Sequence, residues 1–414
     1  MKQLIVLCDG TGNSPEANTG TWAPTNVQIL KNMLGMGLKK EAVGYNFEEG
    51  WALEKFHSDG KEILVHYDRG LGSPKLDDNG NLIRWGWQPS SFFSNARFIY
   101  GKYLEANEQV NALGIIDNVA QAYRFLAKNY EEGDEVFLFG FSRGAYTLRL
   151  LISIIRYIGL LDAKKYLSEK AINDAIEKGF SLYDMSLPPD DNQAAKNFRS
   201  NCYPYENLVK FLGLWDTVPG LVKEKVYDIS NLTSVVKIAR HAISIDEERK
   251  DFVPALWAAS AKTESKQVWF PGVHCDVGGS YLDAGLSNLT LHWIVKEAYS
   301  AGLSVDIRLL NIYKVVALSM QHDSLNALVK ENFNIPWAIR GTYSRPVLKA
   351  NETEWLHTSV VERYNHIIKK ENISMRYLPL NLSTLTAADW ARVEPSSITI
   401  SAEVTLPLSA AMEA

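Results

Sequence analysis

Short apolar runs alternate with amphipathic helical patterns through the first three hundred residues of the chain. The runs that predict strands are residues 4–8, 62–67, 135–139, 209–215, 238–245 and 267–270. The helical patterns are residues 25–34, 118–130 and 286–299. Strands that are buried on both faces are almost continuous in apolar residues, so this alternation predicts a mostly parallel sheet with helices on both sides. The expected fold class is α/β, with a doubly wound sheet and helical insertions.

Two stretches interrupt the alternation. Residues 163–205 are polar, contain Pro188 and Pro189 and have little sheet character, which indicates an insertion over one end of the sheet. Residues 82–104 are unusually aromatic, with a helical stripe from Phe92 onward. A packing helix is the first interpretation, because aromatic stripes usually belong to cores. The alternative is a lid or a lipid-contacting surface, with the candidate residues Trp85, Trp87, Phe92 and Phe93.

The last third of the chain, residues 301–414, contains no repeat and no recognisable motif. It has a helical pattern at residues 307–318 and a polar, β-like tail at residues 397–408. We therefore expect a catalytic domain over residues 1–300, with insertions near 75–110 and 163–205. Residues 301–414 are expected to form a C-terminal extension packed on that domain.

Composition restricts the function classes. The 414 residues are 46% hydrophobic and carry a formal net charge of −5, with no basic block of the kind that follows a phosphate backbone. A nucleic-acid partner is not expected. The three cysteines, Cys8, Cys202 and Cys275, have no metal-site spacing and are expected to be reduced, buried thiols. No signal peptide or membrane span is recognisable, so we expect synthesis in the cytoplasm.

Candidate chemistry begins at Gly140-Phe-Ser-Arg-Gly144. An apolar strand precedes this segment and an apolar helical run follows it. Strand, sharp turn and helix with a serine at the apex is the context of a nucleophile elbow, in which the flanking glycines relieve crowding around a strained serine. Ser142 is therefore the candidate nucleophile.

A serine nucleophile needs a general base, and the base needs an acid that orients it. His274 follows a predicted strand in a glycine-rich loop, and it is the histidine whose setting fits a base. Asp216 ends the strand at residues 209–215, just before a Pro-Gly turn. The carboxyl ends of parallel strands are where catalytic groups gather in open α/β sheets. Asp246 and Asp276 are the substitutes for Asp216.

Acyl transfer also requires backbone N–H donors for the developing oxyanion. One donor is expected from Arg143, the residue after the nucleophile. The second is expected from the glycine-rich loop after the first strand, at Gly10 or Thr11. Asp9 is expected to hold that loop in shape. We expect no cofactor and no catalytic metal, because no acidic spacing resembles a metal-binding loop.

Seven motifs in a fixed order resemble a known family. The chain is similar to the α/β-hydrolase domain family of unknown function that includes the type VI secretion phospholipase effectors, over roughly residues 2 to 300. The motifs are LCDGTGN (7–13), PTNV (24–27), YDRGLG (67–72), GDEVFLFGFSRGAY (133–146), WDTV (215–218), ARHA (239–242) and FPGVHCDVGG (270–279).

The resemblance implies a Ser-Asp-His hydrolase of phospholipid acyl esters, with Ser142 as nucleophile, Asp216 as acid and His274 as base. It implies as partners a lipid or ester substrate, a membrane surface, and an immunity or secretion protein, with export by a contact-dependent secretion system. Cys275 and Ser280 stand where serine and glycine are usual, and the aromatic stretch replaces a glycine-rich segment. A cytosolic carboxylesterase or thioesterase and a catalytically silent binding module are the alternatives.

Overall fold

The apolar runs form the strands of one large sheet in the structure, which is a computed structural model of the chain. It describes residues 1–10, 23–36, 41–46, 51–58, 60–70, 75–76, 82–84, 106–184, 186–219, 231–324, 342–370 and 373–394. The strands of these residues, in chain order, are β1 (Lys2–Cys8), β2 (Glu41–Asn46), β3 (Trp51–Ser58), β4 (Lys61–Asp68), β5 (Lys75–Leu76), β6 (Leu82–Arg84), β7 (Glu135–Phe141), β8 (Leu160–Leu161), β9 (Cys202–Tyr203), β10 (Val209–Trp215), β11 (Val236–Ser244), β12 (Glu264–Phe270), β13 (Glu354–His357), β14 (Ile367–Lys370), β15 (Ile373–Arg376) and β16 (Val393–Glu394).

Helices connect these strands. Thr25 caps the first helix by accepting a hydrogen bond from the backbone N–H of Gln28, as its start signal predicts. The α-helices of the described residues are α1 (Asn26–Gly35), α2 (Ala106–Asn129), α3 (Arg143–Ile158), α4 (Glu169–Ser181), α5 (Gln193–Arg199), α6 (His274–Gly278), α7 (Gly285–Ser300), α8 (Thr358–Asn365) and α9 (Ala387–Trp390).

Ten of the described strands pair in the order β16-β13-β12-β11-β10-β7-β1-β4-β3-β2. Every pair from β16 to β4 is parallel, and the β4–β3 and β3–β2 pairs at one edge are antiparallel. The expectation of a mostly parallel sheet is therefore confirmed. The parallel arrangement also aligns the carboxyl ends of β1, β7, β10 and β12 along one edge of the sheet.

Alternate residues of the central strands enter two separate cores. Leu4 and Val6 of β1 pack on one face with apolar residues of α2 and α3. Ile5 and Leu7 pack on the opposite face with apolar residues of α1 and α7. Successive side chains of a strand point to opposite faces, so both faces of this sheet are covered by helices. The fold is doubly wound and α/β-hydrolase-like, as the sequence predicts.

The pattern at residues 307–318 was expected to be a helix, and this expectation is wrong. The chain forms only a short 3-10 helix at Ile307–Ile312. Side chains of α7 bind the carbonyl oxygens that follow: Asn288 donates to Lys314 at 2.8 Å, and His292 Nε2 lies 2.8 Å from the Tyr313 oxygen. Side chains of α7 thus satisfy these carbonyl groups in place of helical backbone hydrogen bonds. The segment therefore runs along α7 without forming an α-helix.

Several elements were not foreseen. The antiparallel strands β2, at the edge of the sheet, and β3, between β2 and β4, carry charged residues among apolar ones and so lack a continuous apolar run. The insertion at residues 163–205 contains the helices α4 and α5. The β-like tail at residues 397–408 lies outside the described residues.

Residues beyond 300 add strands to the same sheet. β13 pairs with β12, and β16 pairs with β13, both in parallel. Glu354 of β13 is buried and accepts hydrogen bonds from the indole N–H of Trp269 at 2.9 Å and from the backbone N–H of Ala350 at 2.6 Å. The division into a catalytic domain over residues 1–300 and a C-terminal extension over residues 301–414 remains a proposal.

Candidate active site

Ser142 lies at a sharp turn between β7 and α3. Its backbone adopts φ 57° and ψ −125°, a conformation that residues with a side chain rarely adopt. Its N–H donates to the carbonyl oxygen of Trp215 at 3.0 Å, which ties the turn to the end of β10. The strand, turn and helix expected around this serine are all present.

Close contacts explain both glycines of the motif. A Cβ atom on Gly144 would lie 2.2 Å from the backbone oxygen of Cys8 and 2.5 Å from that of Asp9. A Cβ atom on Gly140 would lie 2.8 Å from the backbone nitrogen of Ala145. Because the obstructing atoms belong to the backbone, no side-chain movement relieves these clashes. The elbow packs directly against the end of β1 and requires glycine at both positions.

A continuous chain of hydrogen bonds connects the three residues selected from the sequence. Nε2 of His274 lies 2.9 Å from Oγ of Ser142, and Nδ1 of His274 lies 2.6 Å from Oδ2 of Asp216. The three side chains follow β7, β10 and β12 at the carboxyl edge of the sheet. All three are buried. This is the connectivity of a serine, a base and an orienting acid.

The surroundings of His274 favour its neutral form. Its ring packs against Phe141, with ring centroids 4.6 Å apart, and against the edge of Phe252 at 4.9 Å. Burial lowers the pKa of His274 below its ordinary value, although the neighbouring carboxylate of Asp216 acts in the opposite direction. A neutral imidazole can accept a proton, which is the state that a general base requires.

Asp216 is held by groups on both sides. Its carboxylate accepts from the backbone N–H of Ser244 at 3.0 Å and from Nη1 of Arg345 at 2.6 Å, in addition to its contact with His274. Burial by itself would raise the pKa of Asp216, but Arg345 and His274 outweigh it and hold the pKa well below its ordinary value. Asp216 is therefore an ionised carboxylate in a fully buried position.

Sequence reasoning missed Arg345. This arginine lies in a region without an assigned motif, and 129 residues separate it from Asp216. A single arginine in such a region carries no local signal, since its meaning depends on a contact that only the folded chain creates.

His241, from the ARHA motif, supports the loop that carries Asp216. Its Nε2 accepts a hydrogen bond from the backbone N–H of Thr217 at 3.0 Å. Burial lowers the pKa of His241 to about 3, so the ring stays neutral and can act as an acceptor. The histidine thus fixes the backbone immediately after Asp216, which itself adopts a positive φ of 39°.

An ion pair between buried Glu247 and partly buried Arg249 supports the backbone at His274. The Glu247 carboxylate accepts from the His274 N–H at 3.3 Å and from the Ser324 hydroxyl at 3.1 Å. Arg249 donates to both oxygens of Glu247 at 2.8 Å. Burial would raise the pKa of Glu247, but the hydrogen bonds and charge of Arg249 lower it. This pair was also absent from the sequence analysis.

Of the three residues proposed for the oxyanion hole, the structure describes Arg143 and Gly10. Arg143 begins α3 directly after Ser142, and burial lowers the pKa of its guanidinium to about 10. The Gly10 N–H donates to Oδ1 of Asp9 at 2.7 Å, so this bond must be released or shared before Gly10 can donate to a substrate. Thr11 lies outside the described residues.

Asp9 holds its loop by accepting several donors. Oδ2 accepts from the hydroxyl of Tyr67 at 2.8 Å, from Gln28 Nε2 at 2.8 Å and from Thr25 Oγ1 at 3.1 Å. Burial raises the pKa of Asp9 to about 6 despite these bonds. The carboxyl group connects β1, α1 and β4 beneath the elbow.

The substitute acids have other partners. Asp246 accepts from the Gly272 N–H at 2.6 Å and from the Tyr377 hydroxyl at 2.7 Å. Asp276 contacts Nδ1 of His322 at 2.6 Å. Asp216 is thus the acid that contacts His274 through Nδ1.

The remaining expectations concern surfaces and metals. Trp85, Trp87, Phe92 and Phe93, the candidates for a lid or lipid contact, lie outside the described residues. Within the part of the chain that the structure covers, no helix is long and apolar enough to cross a membrane. No group of three or more histidine, cysteine, aspartate or glutamate side chains suited to a metal ion occurs among the same residues.

An α/β-hydrolase-like sheet with a serine elbow defines the class of protein, and comparisons with known proteins define the family. Residues 2–297 match the family model for the catalytic domain of Tle1-like phospholipase effectors of the type VI secretion system (T6SS). The chain belongs to this family. This finding confirms the resemblance stated from the sequence.

Individual relatives are distant. An uncharacterised protein of Saccharomyces cerevisiae is 25% identical over 261 residues, which cover 61% of this chain and 32% of the relative. The crystal structure of an uncharacterised protein from Pseudomonas aeruginosa has 16% identity and a TM-score of 0.38, covering 76% of this chain and 47% of that one. A structure of the Tle1 effector bound to the VgrG spike of the T6SS has 17% identity and a TM-score of 0.33, covering 69% and 52%. The chain therefore spans about a third of the yeast relative and about half of each of these two structures.

Proposed function

We propose that this chain is a serine hydrolase that cleaves acyl esters of phospholipids through a covalent acyl-enzyme. The observation that carries the proposal is the hydrogen-bond chain from Ser142 Oγ to His274 Nε2 at 2.9 Å and from His274 Nδ1 to Asp216 Oδ2 at 2.6 Å. The strained Ser142 backbone supports it, because such strain persists at sites where it positions a reacting group.

In the first step, Oγ of Ser142 attacks the ester carbonyl carbon while Nε2 of His274 accepts the hydroxyl proton. The carbonyl oxygen gains negative charge, which the Arg143 N–H and a second donor from the Gly10–Thr11 loop would stabilise. The tetrahedral intermediate collapses as His274 returns the proton to the departing alcohol. Ser142 then carries the acyl group as an ester.

In the second step, His274 removes a proton from water, and the hydroxyl adds to the acyl carbon. Collapse of this second intermediate releases the fatty acid and returns the proton to Ser142. Asp216 stays ionised throughout and stabilises the imidazolium form of His274 in both steps. No redox partner is required, because the sum of the steps is ester plus water giving alcohol plus acid.

A phospholipid substrate is supported by membership of a family described by its phospholipase effectors. A short, water-soluble ester is the competing substrate, as in a cytosolic carboxylesterase or thioesterase. The purified protein should release fatty acid from phospholipid vesicles faster than it hydrolyses a short-chain nitrophenyl ester. Turnover of the soluble ester alone would overturn the phospholipase assignment.

A catalytically silent binding module is the competing class of function. A fluorophosphonate probe reacts with a serine only when its hydroxyl is activated, so it should label Ser142 in the folded protein. Mapping of the modified peptide by mass spectrometry identifies the site. Folded protein without label at Ser142 would favour the silent module.

Family membership also supports delivery by a type VI secretion system and contact with a protein of that system. We propose that the chain acts on a membrane surface after such delivery. A competition assay between a producing strain and a sensitive strain tests this, with Ser142→Ala as the matched control. Equal killing by the two forms would contradict a hydrolytic effector role.

A further inference from the structure

We propose that Arg345 is a positioning residue of the catalytic site, which fixes the Asp216 carboxylate in the orientation that binds His274 and balances its charge. The proposal rests on the proposed function, since it concerns the same triad. Arg345 lies beyond residues 2–297, which the family model matches, so nothing in that match assigns it a role.

The contact is a bidentate fork. Nη1 of Arg345 donates to Oδ1 of Asp216 at 2.6 Å, and Nη2 lies 3.1 Å from Oδ2. A planar guanidinium that contacts both oxygens fixes the plane of the carboxylate as well as its position. The same plane sets the direction in which Oδ2 meets Nδ1 of His274.

Arg345 is itself fixed by the surrounding backbone. Nη1 also donates to the carbonyl oxygen of Ser244 at 2.9 Å and to its hydroxyl at 2.7 Å. Nη2 donates to the carbonyl oxygen of Phe252 at 2.5 Å. The side chains of Arg345 and Asp216 are both fully buried. These bonds leave the guanidinium little freedom to follow a displaced carboxylate.

The charge of Arg345 has a separate effect on the base. An ionised carboxylate without a cation is strongly disfavoured in a buried position. The other donors to Asp216, from Ser244 and from neutral His274, carry no charge. The positive charge of Arg345, which contacts Asp216 opposite His274, partly offsets the electrostatic effect of the carboxylate on the imidazole. The imidazole therefore stays neutral, and able to act as a base, at lower pH than it would beside an unpaired carboxylate.

The other charged or titratable groups around the pair have hydrogen-bond partners of their own. Glu247 and Arg249, which face His274 from the loop after β11, form their own ion pair. His241, which faces Asp216 from β11, is neutral because burial lowers its pKa to about 3. Arg149 of α3, which acts on His241, donates to the carbonyl oxygen of Leu256 at 3.3 Å. Among the described residues, Arg345 is the cation that hydrogen-bonds directly to Asp216.

The test follows the rate of fluorophosphonate labelling at Ser142 against pH in the full-length protein. Arg345→Met and Arg345→Gln remove the charge, whereas Arg345→Lys retains it and serves as the matched control. The midpoint of the acid limb should move to higher pH by about one unit in the Met and Gln variants. The Lys variant should keep the midpoint of the wild type, with a lower rate because an ammonium cannot form the fork.

A purely structural role predicts a different result. Loss of folded protein reduces the amount that is labelled at every pH but leaves the midpoint unchanged. Identical midpoints in all variants would therefore overturn the proposal, and circular dichroism reports the folded fraction of each. If the Met variant does not fold, the Gln and Lys variants carry the comparison. Wild-type protein that is not labelled at any pH would refute the proposed function instead, so the two failures are distinguishable.

Discussion

The carboxylate of Asp216 contacts two side chains, and each contact has a different consequence. Oδ2 binds His274, the proposed base, at 2.6 Å, and Oδ1 binds Arg345 at 2.6 Å. All three side chains are buried, so the charges of Asp216 and Arg345 depend on each other for compensation. A change in this carboxylate therefore affects catalysis and stability at once, through different partners.

Asp216→Asn separates the two effects. The amide cannot stabilise the imidazolium and favours the wrong tautomer of His274, so kcat should fall by about 10³- to 10⁴-fold. The same variant leaves the guanidinium of Arg345 buried without an anion, which should lower the free energy of unfolding by about 3–5 kcal/mol. Ester hydrolysis and urea denaturation measure the two quantities.

The double variant Asp216→Asn with Arg345→Met is the control for the ion pair. It removes both charges, so it should be more stable than Asp216→Asn alone while remaining catalytically impaired. If the losses of stability from the two single substitutions add up to the loss in the double variant, Asp216 and Arg345 do not stabilise each other.

The geometry of the nucleophile elbow depends on glycine at Gly140 and Gly144, where a side chain would clash with the backbone. Gly144→Ala would place a methyl group against the backbone oxygens of Cys8 and Asp9, at 2.2 Å and 2.5 Å. We expect a loss of stability of about 1–3 kcal/mol and a large loss of activity, because α3 must move away from β1 and takes Ser142 with it. Thermal denaturation and ester hydrolysis measure these effects.

Gly133→Ala is the matched control for this substitution. It introduces the same methyl group with no atom within 4 Å, at a residue with φ +94° that precedes β7. Backbone strain there should cost about 1–2 kcal/mol without affecting hydrolysis. Full activity in Gly144→Ala would show that the elbow tolerates the displacement.

Asp246 joins three elements: the end of β11, the loop before α6 and the segment that contains Tyr377. Burial raises its pKa to about 7, against an ordinary value of about 3.9 for aspartate, so the folded state retains a proton that the unfolded state releases. Its contribution to stability is thus fully present below about pH 4 and is lost as the pH rises to about 7.

Asp246→Asn should therefore make the decline of unfolding free energy between about pH 4 and 7 less steep. The decline should not vanish, because burial also raises the pKa of Asp9, to about 6, with an effect of the same sign. Urea denaturation at a series of pH values measures the slope. The same slope in variant and wild type would contradict a protonated Asp246.

Across the whole molecule, the sequence predicts those features that local patterns encode. The segments at β7 and β10 are almost continuous in apolar residues because both faces of a central parallel strand are buried, and this identified them as strands. Ser142, Asp216 and His274 were predicted as candidate catalytic residues because each follows such a strand beside glycines or a turn. Their proximity follows from the parallel order of β7, β10 and β12.

Other features arise only when distant segments meet. β13 has four residues and becomes a strand by pairing with β12, and nothing in its own pattern distinguishes it. The proposed role of Arg345 depends on its contact with Asp216, 129 residues earlier in the chain. Residues beyond 300 thus contribute to the sheet and to the site through long-range contacts, which local periodicity does not report.

In the proposed mechanism, Ser142 attacks an acyl ester with the help of His274 and Asp216. The most direct test is the release of fatty acid from phospholipid vesicles by the wild-type protein and by Ser142→Ala at equal concentrations of folded protein. We expect hydrolysis by the wild type and a loss of several orders of magnitude in rate in the variant, with the fold retained. Equal rates of release from the two proteins would contradict it.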